Sequence, residues 1–431
     1  MIPILIDTFW SQSGIKVKPT ARIYPLLNYT ELLAFHNHYI IKYFGNYGGT
    51  AIYEGNKLGV MLEYRQIKKT SHLSNLEALA TMKEILDLSG YGIIKYAHID
   101  NKKQTAKIIV TNPTIITDYR KLVPKSEQEN ICVDLAGIFA GLFSEFFGVN
   151  CECYEDECFL KNGKFSSFKV VPGKRDHELE LLNKPLPDLN VEDTSFWRFF
   201  TGRFSKAFMA NFTKSASNLK YFGKNVVMLD EIQYPYIYHK LLVKDKEKAQ
   251  EAIHRSWFWG TYFMEKDLKR KLRPHKSILR ALFIPGNKIL ELASVGVLEG
   301  YIAAIKVEFE IIDFFNKFIL MQYANYVDCH LYKALFGKSV IPICRPTVEY
   351  VKNAVRRVVG WDVIGYSVCC YAQGFPSCFV LAIDKSTTDE DKQVILEKAV
   401  DKICEKYGVS KTKLAKQVLS NVEKGDLKFA L

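Results

Sequence analysis

The chain has 431 residues, 48% of them hydrophobic and 25% charged, which supplies two or three ordinary cores and excludes wholesale disorder. Its 14 prolines and 25 glycines exclude a collagen-like or linker-dominated polymer. Lysine plus arginine number 59 against 47 acidic residues, and the net charge of +12 permits contact with nucleic acid or an acidic surface without requiring either.

No run reaches about 18 uninterrupted apolar residues. The nearest, Ile131 to Val149, carries Asp134 and Glu145 and reads as a buried amphipathic helix. The opening MIPILIDTFW has no basic stretch ahead of its apolar residues, so no secretory signal is expected, and a soluble cytoplasmic protein is. Ten cysteines in that setting are metal ligands or core residues before they are disulfides, because the cytosol keeps thiols reduced.

After a lead-in of about 25 residues with Pro3, Pro19 and Pro25, the positions Leu32, Leu33, Phe35, Tyr39, Ile40 and Tyr43 predict a helix over 28–44. Gly45, Gly48 and Gly49 are expected to stop it. Ser74, with Glu77 three residues on, predicts a capped helix to about Leu88. The runs YGIIKYAHID and KQTAKIIVTN around Asn101-Lys102-Lys103 predict a hairpin. A helix over 130–147 and the strands NCECYEDECF and FSSFKVVP around Asn162-Gly163 follow. The polar stretch from Pro172 to Asp193 is broken by three prolines and reads as a linker. A helical region is expected from Phe196 to about Leu290, interrupted near Gly223 and Gly260. Then come two strand-like runs, YIAAIKVEFEI and KFILMQYANY, a helix from about Arg345 to Val359, the strand WDVIGYSVCC, a turn at Gly374 and the strand SCFVLAID. A charged helical pair, 388–406 and 410–423, ends the chain around Gly408.

The order of elements repeats, and cysteines mark the repeat. Cys132 and Cys158 lie 26 positions apart, as do Cys344 and Cys370. The glycine closing the intervening helix follows by 16 in both copies, at Gly148 and Gly360. Such a spacing argues for a duplicated domain: 1–172, a linker over 173–193, a second copy over 194–385 and a helical hairpin over 386–431.

In the second copy Cys370 and Cys378 bracket the tight turn CYAQGFPSC, and Cys344 opens a helix. Thiolates bind zinc strongly, and a helix N-terminus favours the thiolate. Cys329, His330 and Glu349 are candidates for a fourth ligand, whereas Cys369 should point to the opposite strand face. From spacing alone, buried core cysteines are an equal reading. In the first copy Ser166 stands where the second has Cys378. Cys132, Glu155 and Cys158 remain as candidate ligands there, and the copy reads as degenerate and metal-free. Cys151, Cys153 and Glu155 share one strand face, with Cys158 across a parity break.

At these residues the chain resembles the 4-vinyl-reductase-type small-molecule-binding domain. The likeness runs from about 28 to 171, through YFGNYGGTAIYEGNKLG, SGYGIIKYAHID, KIIVTNPTI, ICVDLAGIFAGLFSEFFG and CYEDECFLKNGKFSSFKV. Cys132, Gly137, Gly141, Glu155, Cys158, Gly163 and Phe168 match the family pattern, and Ser166 replaces its last cysteine. The second copy matches through CYAQGFPSCFVLAI, with Ser367 at the glutamate position and Glu349 and Asn353 in place of Gly137 and Gly141. The resemblance implies an α/β (α+β) fold of the type shared with TRAPP vesicle-tethering subunits and nitric-oxide-sensing haem domains, a small antiparallel sheet packed with helices and often dimeric. It also implies zinc held by the cysteines and glutamate beside an apolar effector pocket, as in sensor domains of aromatic-responsive transcription activators.

No dinucleotide fingerprint, P-loop, zinc-protease helix or nucleophile elbow is present. His36 and His38 fall on different helix faces and read as ordinary residues. SFWRFF and the tryptophans Trp257 and Trp259 read as core or interface. Gly137 and Gly141 are expected to serve tight helix–sheet packing or to line a ligand cavity. The expectation is a non-enzymatic tandem protein, packed as an internal pseudo-dimer and able to dimerise further. An apolar small molecule would bind the first copy, and a structural zinc Cys344, Cys370 and Cys378 of the second. Two other readings stay open. One is a nucleic-acid-associated regulator using the basic stretch 266–280 and the C-terminal helices. The other is a reductase of a tetrapyrrole-like substrate.

Overall fold

The described part of the chain, in a computed structural model, is 26–174, 181, 212–214, 219–221, 224–229, 232–271, 306–324 and 326–423. These residues divide into two units, the first reaching Lys271 and the second beginning at Lys306. The lead-in, most of the predicted linker, SFWRFF and 272–280 of the basic stretch lie outside the described residues.

The first unit opens with β1 (Leu26–Tyr29) and α1 (Thr30–Phe44). Leu32, Leu33, Phe35 and Ile40 of the predicted stripe of α1 are buried and Tyr39 and Tyr43 partly so, but Thr30, His36, Asn37 and His38 are buried as well. Gly45 ends α1 at φ 56. Gly48 and Gly49, expected to continue that stop, instead lie inside a long helix, α2 (Asn46–Ser71). A Cβ at Gly48 would fall 2.6 Å from the Ile40 carbonyl oxygen, so glycine here permits a close departure of α2 from α1. Next comes α3 (Asn75–Leu88), headed by a capping box between Ser74 and Glu77.

The hairpin β2 (Ile93–Asp100) and β3 (Thr105–Thr111) leads to α4 (Thr114–Leu122) and α5 (Val133–Phe147). β4 (Cys151–Glu157), a helical turn at Phe159–Asn162 and β5 (Phe165–Pro172) complete an antiparallel sheet of order β2-β3-β5-β4. On one face Phe139 and Phe143 of α5 pack edge-on against Phe168 and Tyr96, with centroids 5.2 and 5.5 Å apart. Gly137 and Gly141 do not face the sheet. A Cβ at either would meet the Tyr53 or Lys57 carbonyl oxygen at 2.2 or 2.3 Å, so these glycines let α5 cross α2.

The continuous helix expected from Phe196 is not what the described residues form. Three short strands, β6 (Phe212–Lys214), β7 (Leu219–Tyr221) and β8 (Lys224–Leu229), join β1 in a second antiparallel sheet of order β1-β8-β7-β6. The β-branched pair in KNVVML favours this state. α6 (Gln233–Lys244) and α7 (Lys246–Lys271) follow. Gly260 does not interrupt α7; its missing side chain admits Leu32, whose Cδ1 lies 2.4 Å from the Cβ position. Residues 212–271, read from sequence as part of the second copy, fall in the first unit.

The second unit repeats the hairpin–helix–helix–strand–turn–strand order. It runs β9 (Lys306–Asp313), β10 (Phe318–Ala324), α8 (Val327–Phe336), α9 (Arg345–Val358), β11 (Val363–Cys369), a turn of 3-10 helix at Tyr371–Gln373 and β12 (Cys378–Asp384). The antiparallel sheet has order β9-β10-β12-β11, matching β2-β3-β5-β4. α10 (Asp389–Tyr407) and α11 (Lys411–Glu423) meet at Gly408, φ 63. Their Ile395, Ala399, Ile403, Leu414 and Val418 share a core with Leu320, Tyr366 and Leu381 of the sheet. In the first unit the corresponding cross-strand row is Lys107, Tyr154 and Lys169, and both lysines and the tyrosine are exposed. No described helix is long and apolar enough to cross a membrane.

Burial acts on the histidines of α1. His36 is enclosed by Tyr234 and Tyr238, with ring centroids 4.6 and 5.8 Å away. Burial lowers its pKa from 6.5 to about 3, against the opposing effect of the Asn37 side chain. The unfolded chain therefore binds a proton that the folded chain refuses, and stability must fall as pH drops below 6.5. We expect His36→Gln to reduce the slope of unfolding free energy against pH between about 6 and 5 by ~1.4 kcal/mol per pH unit. Denaturant titrations at several pH values measure it; an unchanged slope would contradict a neutral, buried His36.

Candidate metal centre

In the second unit four cysteine sulfurs converge from four segments. Cys329 lies in the first turn of α8, Cys344 caps α9, Cys370 follows β11 and Cys378 opens β12. Pro346 sits in the first turn of α9, where its missing N–H costs no hydrogen bond, so the helix starts at the cysteine. β11 carries a bulge between Ser367 and Cys369, which shifts the alternation of side chains and turns Cys370 toward α9. Gly374, at φ 97, closes the turn that returns the chain to Cys378.

All four residues are 0% exposed, and their sulfurs lie within 4.8 Å of one another. Cys329 Sγ is 3.4 Å from Cys370 Sγ and 3.6 Å from Cys378 Sγ, and Cys378 and Cys370 are 4.0 Å apart. Tetrahedral zinc with bonds of about 2.3 Å places its sulfurs about 3.8 Å apart, so the spacing suits a four-sulfur site. Burial pushes the thiols of Cys329 and Cys378 well up. Burial acts the same way on Cys370, but hydrogen bonds from Cys329, Cys344 and Cys378 carry it well below the ordinary thiol value. The Tyr371 backbone N–H donates to Cys378 Sγ at 3.3 Å.

The structure also separates the candidates for the fourth position. Cys329 joins Cys344, Cys370 and Cys378. His330 points elsewhere, its ring stacked on Tyr371 at 3.7 Å. Glu349 pairs with Lys352 at 2.9 Å. Cys369 lies on the opposite strand face, where it belongs to the core under α10 and α11.

The first unit has a sparser version of this cluster. Cys132 caps α5, and its sulfur lies 3.6 Å from that of Cys158. One Glu155 oxygen completes a group within 4.8 Å, while Glu155 Oε1 is buried without a hydrogen-bond partner. A bulge between Glu155 and Glu157 carries the chain across the parity break, as its counterpart does in β11. Ser166, fully buried, accepts the Phe159 N–H at 3.1 Å, the same bond that Cys378 makes with Tyr371. Cys151 and Cys153 are buried in β4 outside the cluster. Asp134, two residues past Cys132, has its pKa raised by burial to about 7, and Asn37 Nδ2 donates to it at 3.4 Å.

None of the ten cysteines is in a disulfide, and only Cys158 and Cys404 are more than marginally accessible. The hydrogen bond from Cys132 lowers the Cys158 pKa, whereas burial and nearby Asp401 raise that of Cys404. Iodoacetamide at neutral pH should therefore modify Cys158 first and Cys404 second, leaving the four sulfurs of the second unit unmodified until denaturation. Peptide mass spectrometry reads this order; early loss of Cys370 or Cys378 would contradict it.

No family model and no curated protein matches the chain. Among solved structures, the phenol-responsive sensory domain of the transcription activator PoxR is similar at 12% identity and TM-score 0.37, over 46% of this chain and 96% of that one. A trafficking protein particle complex subunit 3 from Naegleria fowleri, covalently bound to palmitic acid, is similar at 17% identity and TM-score 0.25, over 34% of this chain and 98% of that one. Likeness at this level assigns no ligand or activity to the chain.

Proposed function

We propose that this chain is a non-enzymatic regulatory or scaffolding protein with two related α+β domains of the 4-vinyl-reductase type, the second locked by a structural zinc ion. The observation that carries the reading is the meeting of four fully buried cysteine sulfurs, Cys329, Cys344, Cys370 and Cys378, all within 4.8 Å of one another, with those of Cys329, Cys370 and Cys378 3.4 to 4.0 Å apart. A closed four-thiolate site has no open coordination position for substrate, which favours a structural over a catalytic ion. Zinc suits the donor set because soft thiolates in a four-sulfur group select it over oxygen-loving cations.

The shared strand order of the two sheets, and the bulge two residues before Cys158 and before Cys370, support the duplication. In the first domain, three donors and the Ser166 hydroxyl make a weak zinc site, so its part in the reading is small-molecule binding. That part rests on the sequence motif around Cys132, Glu155 and Cys158. Gly137 and Gly141, buried against the α2 backbone, serve the packing of α5 on α2.

Protein purified without chelator should contain about one zinc per chain, measured by elemental mass spectrometry. Cys378→Ser and Cys329→Ser should each lower the content well below one, and Cys369→Ser should leave it unchanged. Wild-type protein with well under one zinc after metal-replete expression would end the zinc reading.

A further inference from the structure

The turn between β9 and β10 presents two adjacent phenylalanines outward. Phe315 is 93% exposed and Phe314 39% exposed. Trp361, on the loop entering β11, meets Phe314 edge-on with ring centroids 5.6 Å apart. Three aromatic rings thus gather at one end of the sheet.

The turn itself does not need them. Asp313 Oδ1 accepts the N–H groups of Phe315 and Asn316 at 3.1 and 2.9 Å, and Lys317 takes φ 51. The first unit builds the same turn between β2 and β3. There Asp100 Oδ1 accepts the N–H groups of Lys102 and Lys103, both at 3.0 Å, and Gln104 takes φ 53. Asn101 and Lys102, both exposed, stand in the places of Phe314 and Phe315. One backbone geometry with polar residues in one unit and aromatic residues in the other separates what the turn requires from what the aromatics add. Phe314 is partly covered by Trp361, but Phe315, 93% exposed, has no folding gain to account for it.

The charges around the rings lean to one sign. Arg356 and Lys385 both pair with Asp362, Lys398 pairs with Asp313, and Lys317 reaches Ser386. All four cations are exposed, against three carboxylates: Asp313, Asp362 and the buried Asp384, whose Oδ1 accepts from Ser386. Farther along the chain, Asp389 is paired with Lys392, and Asp391 is bound to Thr388 at the α10 cap.

We propose that this tip is a peripheral membrane-docking site for an anionic lipid surface. Phe314 and Phe315 enter the boundary between headgroups and acyl chains, and Trp361 lies at headgroup depth, where an amphipathic ring is favoured. Lys317, Arg356, Lys385 and Lys398 meet the anionic headgroups. A protruding turn suits a bilayer, which yields around a convex wedge, whereas a rigid partner would have to supply a matching pocket.

The test is co-sedimentation of the full chain with phosphatidylcholine vesicles, with and without phosphatidylserine. The expected result is binding to the serine-lipid vesicles that weakens as salt rises. The paired substitution Phe314→Ser with Phe315→Ser should reduce it about tenfold or more, and Lys317→Glu with Lys385→Glu should remove its salt dependence. The polar version of the same turn in the first unit indicates that the serine variant folds, and an unchanged far-ultraviolet spectrum checks this. A chain that stays in the supernatant with both vesicle types, or binding indifferent to the serine pair, would overturn the proposal. So would a concentration-dependent dimer that the serine pair abolishes, which would assign the tip to a second copy.

Discussion

A thiolate removed from water is unstable unless a cation or hydrogen-bond donors replace the solvent. Cys370 is fully buried, and three neighbouring sulfurs hold it toward the ionised form. That requirement shapes the second unit around it. The starts of α8 and α9, the bulged end of β11 and the first residue of β12 must all arrive at one point. The Gly374 turn, the Pro346 helix start and the bulge after Ser367 are the local devices that bring them there. A metal ion bound there would tie the starts of α8 and α9 to the paired ends of β11 and β12.

The two units use one strand order for different surroundings. In the first, the cross-strand row Lys107, Lys169 and Tyr154 faces outward. In the second, the corresponding row of Leu320, Leu381 and Tyr366 lies under α10 and α11. Side-chain polarity at three register positions decides whether a sheet face accepts a helical layer. The burial of Leu414 and Val418 in that layer commits the apolar stripe of α11 to the core. Its lysines are then left on the outside, with Lys411 paired to Asp401.

Much of this was legible in the sequence because the signals were local. Ser74 and Glu77 gave a helix start, Asn101 to Lys103 a hairpin turn, and the equal cysteine spacings a recurring helix–strand unit. Glycine was the misleading signal. Gly48, Gly49 and Gly260 look like breaks in a one-dimensional reading, yet each lies inside a helix, and Gly48 and Gly260 admit a neighbouring element. The strands over 212–229 were hidden because β6 and β7 are three residues each, too short to show an alternation, and β8 finds its second partner, β1, about 200 residues earlier. Cys329 was one of several candidates for a fourth ligand, and only the placement of α8, a helix too short to stand out by periodicity, separates it from His330 and Glu349. The parity break before Cys158 was visible; the bulge that resolves it is a tertiary feature.

The four-sulfur centre is most directly tested by zinc K-edge X-ray absorption on the full chain purified without chelator. The account predicts a single shell of about four sulfurs at about 2.3 Å. A first shell dominated by nitrogen or oxygen at about 2.0–2.1 Å, or a sample with no protein-bound zinc, would contradict it.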